Sequence, residues 1–134
     1  MDDEKQQEVQ QWLTKSQHDL EAARLLFASQ ASLLDIVVYH CQQSVEKALK
    51  GYLTFQDVVF PKTHNLSSLL GYCVFFNVNF NDFFEIAETL TPYATEFRYP
   101  GEVLEPEQEE AKQAIVMAET VVEFVNNILL PFSN

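Results

Sequence analysis

Apolar and polar positions along this chain repeat at about 100° per residue almost from end to end, the period of amphipathic helices rather than of strands. Between Val9 and Ala28, the residues Trp12, Leu13, Leu20, Ala23, Leu26 and Phe27 recur at helical spacing. Lys15, Asp19 and Arg24 are left for the outer face of this first helix. From Leu33 to about Phe55, the positions Leu34, Val37, Val38, Cys41, Val45, Ala48, Leu49 and Tyr52 share one broad face of a second helix, the best-patterned stretch of the chain. Asp57 and Pro61 make residues 56–62 a loop, because proline interrupts helical bonding and restricts the residue before it. Thr63 or Asn65 then caps a short third helix carrying Leu66, Leu69, Leu70 and Val74.

Asn77, Asn79 and Asn81 mark the next turn. Phe83, Ala87, Leu90, Ala94 and Phe97 repeat through a fourth helix, which Pro92 must kink or divide. The last helix opens near Pro106, where a proline costs least and where Glu107, Glu109 and Glu110 favour the positive end of the macrodipole. Its stripe of Ala111, Ala114, Ile115, Ala118, Val121, Val122, Val125 and Ile128 ends before Pro131. Val and Phe are plentiful, but alternation with polar residues is nowhere sustained, so strands are not expected. The pattern predicts an all-α, antiparallel up-and-down bundle of four to five helices.

Composition bounds this picture. A chain of 134 residues with five Pro, three Gly and no linker-like stretch is expected to form a single domain over residues 1–134, with the polar residues 1–8 frayed. The N-terminus lacks a basic start followed by an apolar run. No segment approaches the roughly 18 apolar residues of a bilayer span, so a cytoplasmic protein without membrane contact is expected. Cys41 and Cys73 lack paired spacing and are expected to be free, mostly buried thiols. His18, His40 and His64 are scattered, so neither a metal site nor a cofactor is implied. The net charge of −12, from 20 acidic and 8 basic residues, argues against indiscriminate nucleic-acid binding. The basic residues are unevenly spread, however. Lys47, Lys50 and Lys62 lie close together, while Glu102, Glu105, Glu107, Glu109 and Glu110 gather negative charge later, so a local cationic cleft fits the sequence.

On the second helix His40, Gln43, Lys47 and Lys50 fall within an arc of about 80°, opposite most of the apolar residues. One reading is a solvated outer face. The other is a site wall, in which the lysines supply charge for phosphate, Gln43 donates and accepts, and His40 titrates near neutral pH.

Three blocks then stand in order: Tyr39-His40-Cys41-Gln42-Gln43-Ser44-Val45-Glu46-Lys47-Ala48-Leu49-Lys50-Gly51-Tyr52-Leu53, Pro61-Lys62-Thr63-His64-Asn65-Leu66, and Phe97-Arg98-Tyr99-Pro100. Together they resemble the HEPN domain family in its compact prokaryotic form, over roughly Trp12 to Leu130. The resemblance implies an all-helical bundle, commonly a homodimer and often produced beside a minimal nucleotidyltransferase in two-component operons, several of which act as toxin and antitoxin. It also implies one of two roles. Many HEPN proteins are metal-independent ribonucleases marked by an arginine followed, after four to six residues, by a histidine, with two copies meeting across the dimer. Others are proposed to bind nucleotides or to help a nucleotidyltransferase choose its substrate.

The nuclease signature has a chemical basis: a histidine moves a proton at the ribose hydroxyl or leaving oxygen, and an arginine stabilises charge on the phosphate. After Arg24 the window holds Ser29 to Ala31, and after Arg98 it holds Val103 to Glu105; neither contains histidine. The leading expectation is therefore a non-catalytic HEPN subunit, with no catalytic residues assigned. It binds a nucleotide or phosphate-bearing ligand in a cleft of His40, Gln43, Lys47, Lys50, His64 and Arg98, and it acts with a nucleotidyltransferase. Lys47, Lys50 and Arg98 would meet phosphates, and the histidines would donate or support hydrogen bonds. The alternatives are a ribonuclease with rearranged residues, in which His40 or His64 approaches Arg98 in space, and a pure protein-interaction module. RNA is the less favoured partner. His64 can equally satisfy backbone groups before a helix, and Arg98 can pair with a carboxylate such as Glu46. Tyr99 packs in the core or stacks on a base, with Tyr99-Pro100-Gly101 ending a helix. Phe75, Phe76, Phe80, Phe83 and Phe84 exceed one helix stripe and are divided between core and a dimer contact.

Overall fold

The computed structural model describes residues 2–29, 33–101 and 105–132. Met1, Gln30 and Ala31 of the first signature window, and Glu102, Val103 and Leu104, lie outside those residues. The described residues form five α-helices: α1 (Asp3–Ala28), α2 (Leu34–Phe55), α3 (Leu66–Phe76), α4 (Phe84–Leu90) and α5 (Gln108–Leu129). Three 3-10 turns cover Val78–Phe83, Thr91–Ala94 and Leu130–Phe132, and the described residues contain no strand.

The polar start expected to fray is helical from Asp3. Asp2 caps it by accepting from the Lys5 backbone N–H at 2.8 Å, and Asp3 and Glu4 suit the positive end of the helix. Helix α1 then runs antiparallel to α2: Lys5 pairs with Asp57, Trp12 and Leu13 lie against Gly51, and Ser16 donates to the Ser44 carbonyl at 2.6 Å. The approach at Gly51 is close enough that an added Cβ would stand 3.1 Å from Trp12 Cβ and 3.2 Å from Leu13 Cδ2. Helix α5 is also antiparallel to α1, since Arg24 binds Glu119 at 2.7 Å whereas Leu129 and Phe132 lie beside Gln6 and Val9. It follows that α2 and α5 point the same way.

Residues 56–65 make that direction feasible by returning along α2. The Val58 N–H still bonds the Leu53 carbonyl, while the His64 carbonyl accepts from Gln42 higher up the helix at 2.9 Å. Asn65, rather than Thr63, caps α3 by accepting from the Ser68 N–H. The asparagine run is a 3-10 turn, opened by Asn77 accepting from the Asn79 N–H. Pro92 divides the fourth element: α4 stops at Leu90 and a 3-10 turn takes over, so Phe97 lies beyond any helix. The last helix starts two residues after Pro106, with Glu107 at its N-cap position.

The core is built on α2, which is buried nearly all round. Val37, Val38, Cys41, Val45, Ala48 and Leu49 are buried on its apolar side with Gln42 beside them, but so are Gln43 and Lys50 of the polar arc and the neighbouring Glu46. α1 and residues 60–64 cover that face. Phe80, fully buried, packs its ring 4.8 Å from Tyr52 and 5.0 Å from Phe124. Of the surplus phenylalanines, Phe80 and Phe83 are core, while Phe75 is 84% exposed. The helical run Gln108–Phe132, 25 residues long, is apolar enough by length and composition to cross a bilayer. Counting consecutive apolar residues misses this, because Lys112-Gln113, Glu119-Thr120, Glu123 and Asn126-Asn127 interrupt the run. In the bundle its stripe from Ala111 to Leu129 is buried.

Candidate functional site

Two buried carboxylates organise the polar wall of α2. Asp19, on α1 and only 8% exposed, meets His40 Nδ1 at 2.8 Å and Lys47 Nζ at 2.6 Å. His40 and Lys47 are seven residues apart, so two turns of α2 bring both side chains to one point on α1. A carboxylate only accepts, so the imidazole donates from Nδ1 and its Nε2 is left for another partner. Burial pushes the Asp19 carboxyl up, but the hydrogen bonds and charges of His40 and Lys47 outweigh it and hold the group below its ordinary value.

The second centre is Glu46. It accepts from Lys50 Nζ at 3.0 Å, from His64 Nδ1 at 2.7 Å and from Gln42 Nε2 at 3.2 Å. Gln42 also holds the His64 backbone, and its oxygen accepts from Gln43 at 2.7 Å. The Lys50 ammonium lies 5.8 Å from each of the Trp12 and Phe60 ring centres. Among the described residues, no buried polar side-chain atom lacks a partner.

Arg98 arrives from another direction. Its guanidinium carbon lies 3.8 Å from the centre of the Tyr39 ring, and Tyr39 in turn contacts the His40 ring at 5.6 Å between centres. Arg98 is exposed and makes no ion pair among the described residues; Glu46, read as its partner in the sequence, serves Lys50 and His64 instead. The residue before it, Phe97, has φ +64°, the left-handed region that bulky side chains avoid. Stacking on Tyr93, 6.1 Å between ring centres and 29° between planes, holds Phe97 there. Tyr93 is itself buried and donates to Glu110 at 2.6 Å. Tyr99 is 70% exposed rather than core, and Gly101, at φ +89°, takes a conformation that glycine adopts without strain.

The sequence-read residues are thus placed as follows. His40 and Lys47 share Asp19; Lys50 and His64 share Glu46; Gln43 lies between the two groups on α2; Arg98 joins at the Tyr39–His40 end. Lys47 and Lys50 are not the unpaired phosphate ligands the spacing suggested, since each already has a carboxylate within 3.0 Å. Sequence reasoning missed Asp19, Gln42 and Tyr39. The four-residue step from Glu46 to Lys50 was a readable signal. Nothing in the sequence set α1 in the register that brings Asp19 to His40. Open depressions on other faces of α1, one lined by Gln17, His18, Glu21 and Asn126, stand apart from these networks. Among the described residues no group of three or more His, Cys, Asp or Glu side chains is placed to hold a metal ion. Cys41 and Cys73 are free and buried, and burial pushes both thiols up to about 12.

The chain is thus a small all-helical bundle with one carboxylate-held histidine on its second helix, another beside it, and an arginine brought over that helix from a later turn. The sequence model of the HEPN domain matches residues 9–128, nearly the whole chain, and the chain belongs to the HEPN domain family. The crystal structure of an archaeal HEPN homologue is similar, with a TM-score of 0.71 and 26% sequence identity, covering 90% of this chain and 97% of that one. No curated protein matches the chain.

Proposed function

We propose that this HEPN chain is a non-catalytic subunit that binds a nucleotide or other phosphate-bearing ligand along the polar wall of α2. It works in the cytoplasm as a homodimer with a minimal nucleotidyltransferase, in a two-component pair of the kind that includes toxin and antitoxin. One observation carries the ligand-binding part. In a chain of net charge −12, Lys47 and Lys50 with His40 and His64 gather, among the described residues, around two carboxylates, Asp19 and Glu46, and Arg98 adds a third permanent cation at Tyr39. That wall is a local positive island, more so when either histidine is protonated. His40, with Nδ1–H donated to Asp19, gives an Nε2–H to a phosphate oxygen only as the imidazolium, and Lys47 beside it adds charge even while paired.

Isothermal calorimetry with ATP and with inorganic tripolyphosphate tests the reading. Wild type is expected to bind at least one of them, and His40→Gln to weaken that binding about tenfold, the loss of roughly one charge-assisted hydrogen bond. No heat from either ligand overturns it. A nucleotidyltransferase gene beside this one supports the partner, and an isolated gene removes it.

A second reading has its own support. An aspartate-backed histidine beside a tyrosine that carries an arginine resembles the proton mover and charge stabiliser of a nuclease, without the usual linear signature. RNA cleavage by the purified protein that disappears in both His40→Ala and Arg98→Ala would replace the non-catalytic reading with this one.

A further inference from the structure

We propose that Arg98 is a stacking surface for the base of a nucleotide, so that the α2 wall selects nucleotides over bare polyphosphates. The inference rests on the ligand-binding reading above and changes the part Arg98 takes in it. A guanidinium is planar and has two faces. The Arg98 guanidinium carbon lies over the Tyr39 ring, 3.8 Å from its centre, close enough for one face to stack on it. Arg98 is exposed and without an ion pair among the described residues, so its charge is not consumed by a neighbouring carboxylate.

The position is also held at a cost. Phe97 keeps φ +64°, a conformation that costs roughly 1 kcal/mol or more in a bulky residue. Its ring is stacked on buried Tyr93, which is tied to α5 through Glu110. This left-handed residue turns the chain back so that its neighbour lies over α2. An arginine serving only as a phosphate clamp needs its N–H edge and charge, which a lysine supplies in part. An arginine laid flat on a tyrosine offers a π surface, which a lysine cannot. The layout suits a nucleotide. A base on Arg98 would leave its phosphates at His40 and at Lys47, whose side chains meet at the shared Asp19 carboxylate.

The test measures ATP and inorganic tripolyphosphate by calorimetry against wild type and Arg98→Lys, with circular dichroism confirming that the exposed substitution leaves the fold intact. Wild type is expected to bind ATP about tenfold or more tightly over tripolyphosphate, the effect of one stacked base. Arg98→Lys is expected to lose that preference, weakening ATP about tenfold while tripolyphosphate stays within about twofold. Equal affinity for the two ligands in wild type, or unchanged ATP binding in Arg98→Lys, overturns the stacking role and leaves the phosphate site standing. Silence from both ligands removes the two proposals together.

Discussion

Asp19 ties two cationic side chains of α2 to α1, so at the scale of the residue it should matter more than its place in the sequence suggests. Replacing it by asparagine leaves Lys47 and His40 without their anion in a largely buried setting. Asp19→Asn is therefore expected to cost about 3 kcal/mol at pH 7 in urea unfolding, the lower end for breaking a buried pair because both partners are about a quarter exposed. A carboxyl held below its unfolded value adds stability above that value. The contribution disappears as pH falls through the folded pKa. The gap between wild type and variant should thus be full above about pH 4 and shrink in more acidic buffer. A gap that is absent at pH 7, or that persists undiminished at pH 2, contradicts the role given to Asp19. His40 and Lys47 were legible as a pair on one helical arc, because periodicity fixes which residues of a helix share a face. Asp19 was not, because a residue's partner on another helix depends on register, and register is set by packing such as that of Trp12 on Gly51. Arg98 was legible as informative through its motif, but its seat on Tyr39 depends on a left-handed phenylalanine that no local pattern announces.

At the scale of the element, two helical glycines have opposite constraints. Gly71, exposed in the middle of α3, has open space on its side-chain face, and a methyl added there would meet nothing within 4 Å. Gly71→Ala should therefore show the intrinsic gain of alanine over glycine, about 0.5–1 kcal/mol. Gly51→Ala has the same intrinsic gain, but its methyl would meet Trp12 Cβ, an atom fixed to the α1 backbone, at 3.1 Å. That substitution is expected to be neutral or destabilising by thermal denaturation; a gain matching that of Gly71→Ala would mean that α1 shifts freely. Element types and order followed the 3.6-residue period closely. The turn at the asparagine run and the division at Pro92 were legible; the placing of Phe83, Ala94 and Phe97 in one helix was not, because hydrogen bonds beyond the hydrophobic pattern choose a 3-10 turn or, at Phe97, a left-handed residue. The choice between a solvated face and a site wall on α2 was not legible for a related reason, since periodicity finds the greasiest side of a helix and is silent on whether polar neighbours bury the other side as well.

For the whole molecule, the return of residues 56–65 along α2 has a kinetic consequence. Because α2 and α5 point the same way, α5 cannot join α2 through a tight hairpin and closes on α1 late in the sequence, with Arg24 and Glu119 brought together across 95 positions. α1 and α2 meet across far shorter loops and can form the early nucleus, loop closure being entropically cheaper there. In stopped-flow refolding, Asp19→Asn should mainly slow folding. Leu129→Ala, at the buried end of α5, should mainly speed unfolding, and a reversed pattern would mean that the chain's two ends meet first. Synthesis from the N-terminus fits the same order: the pair of helices that carries His40, Gln43, Lys47 and Lys50 emerges and docks before the segments bearing Arg98 and α5 exist, so the site is assembled by late arrivals onto a wall already built.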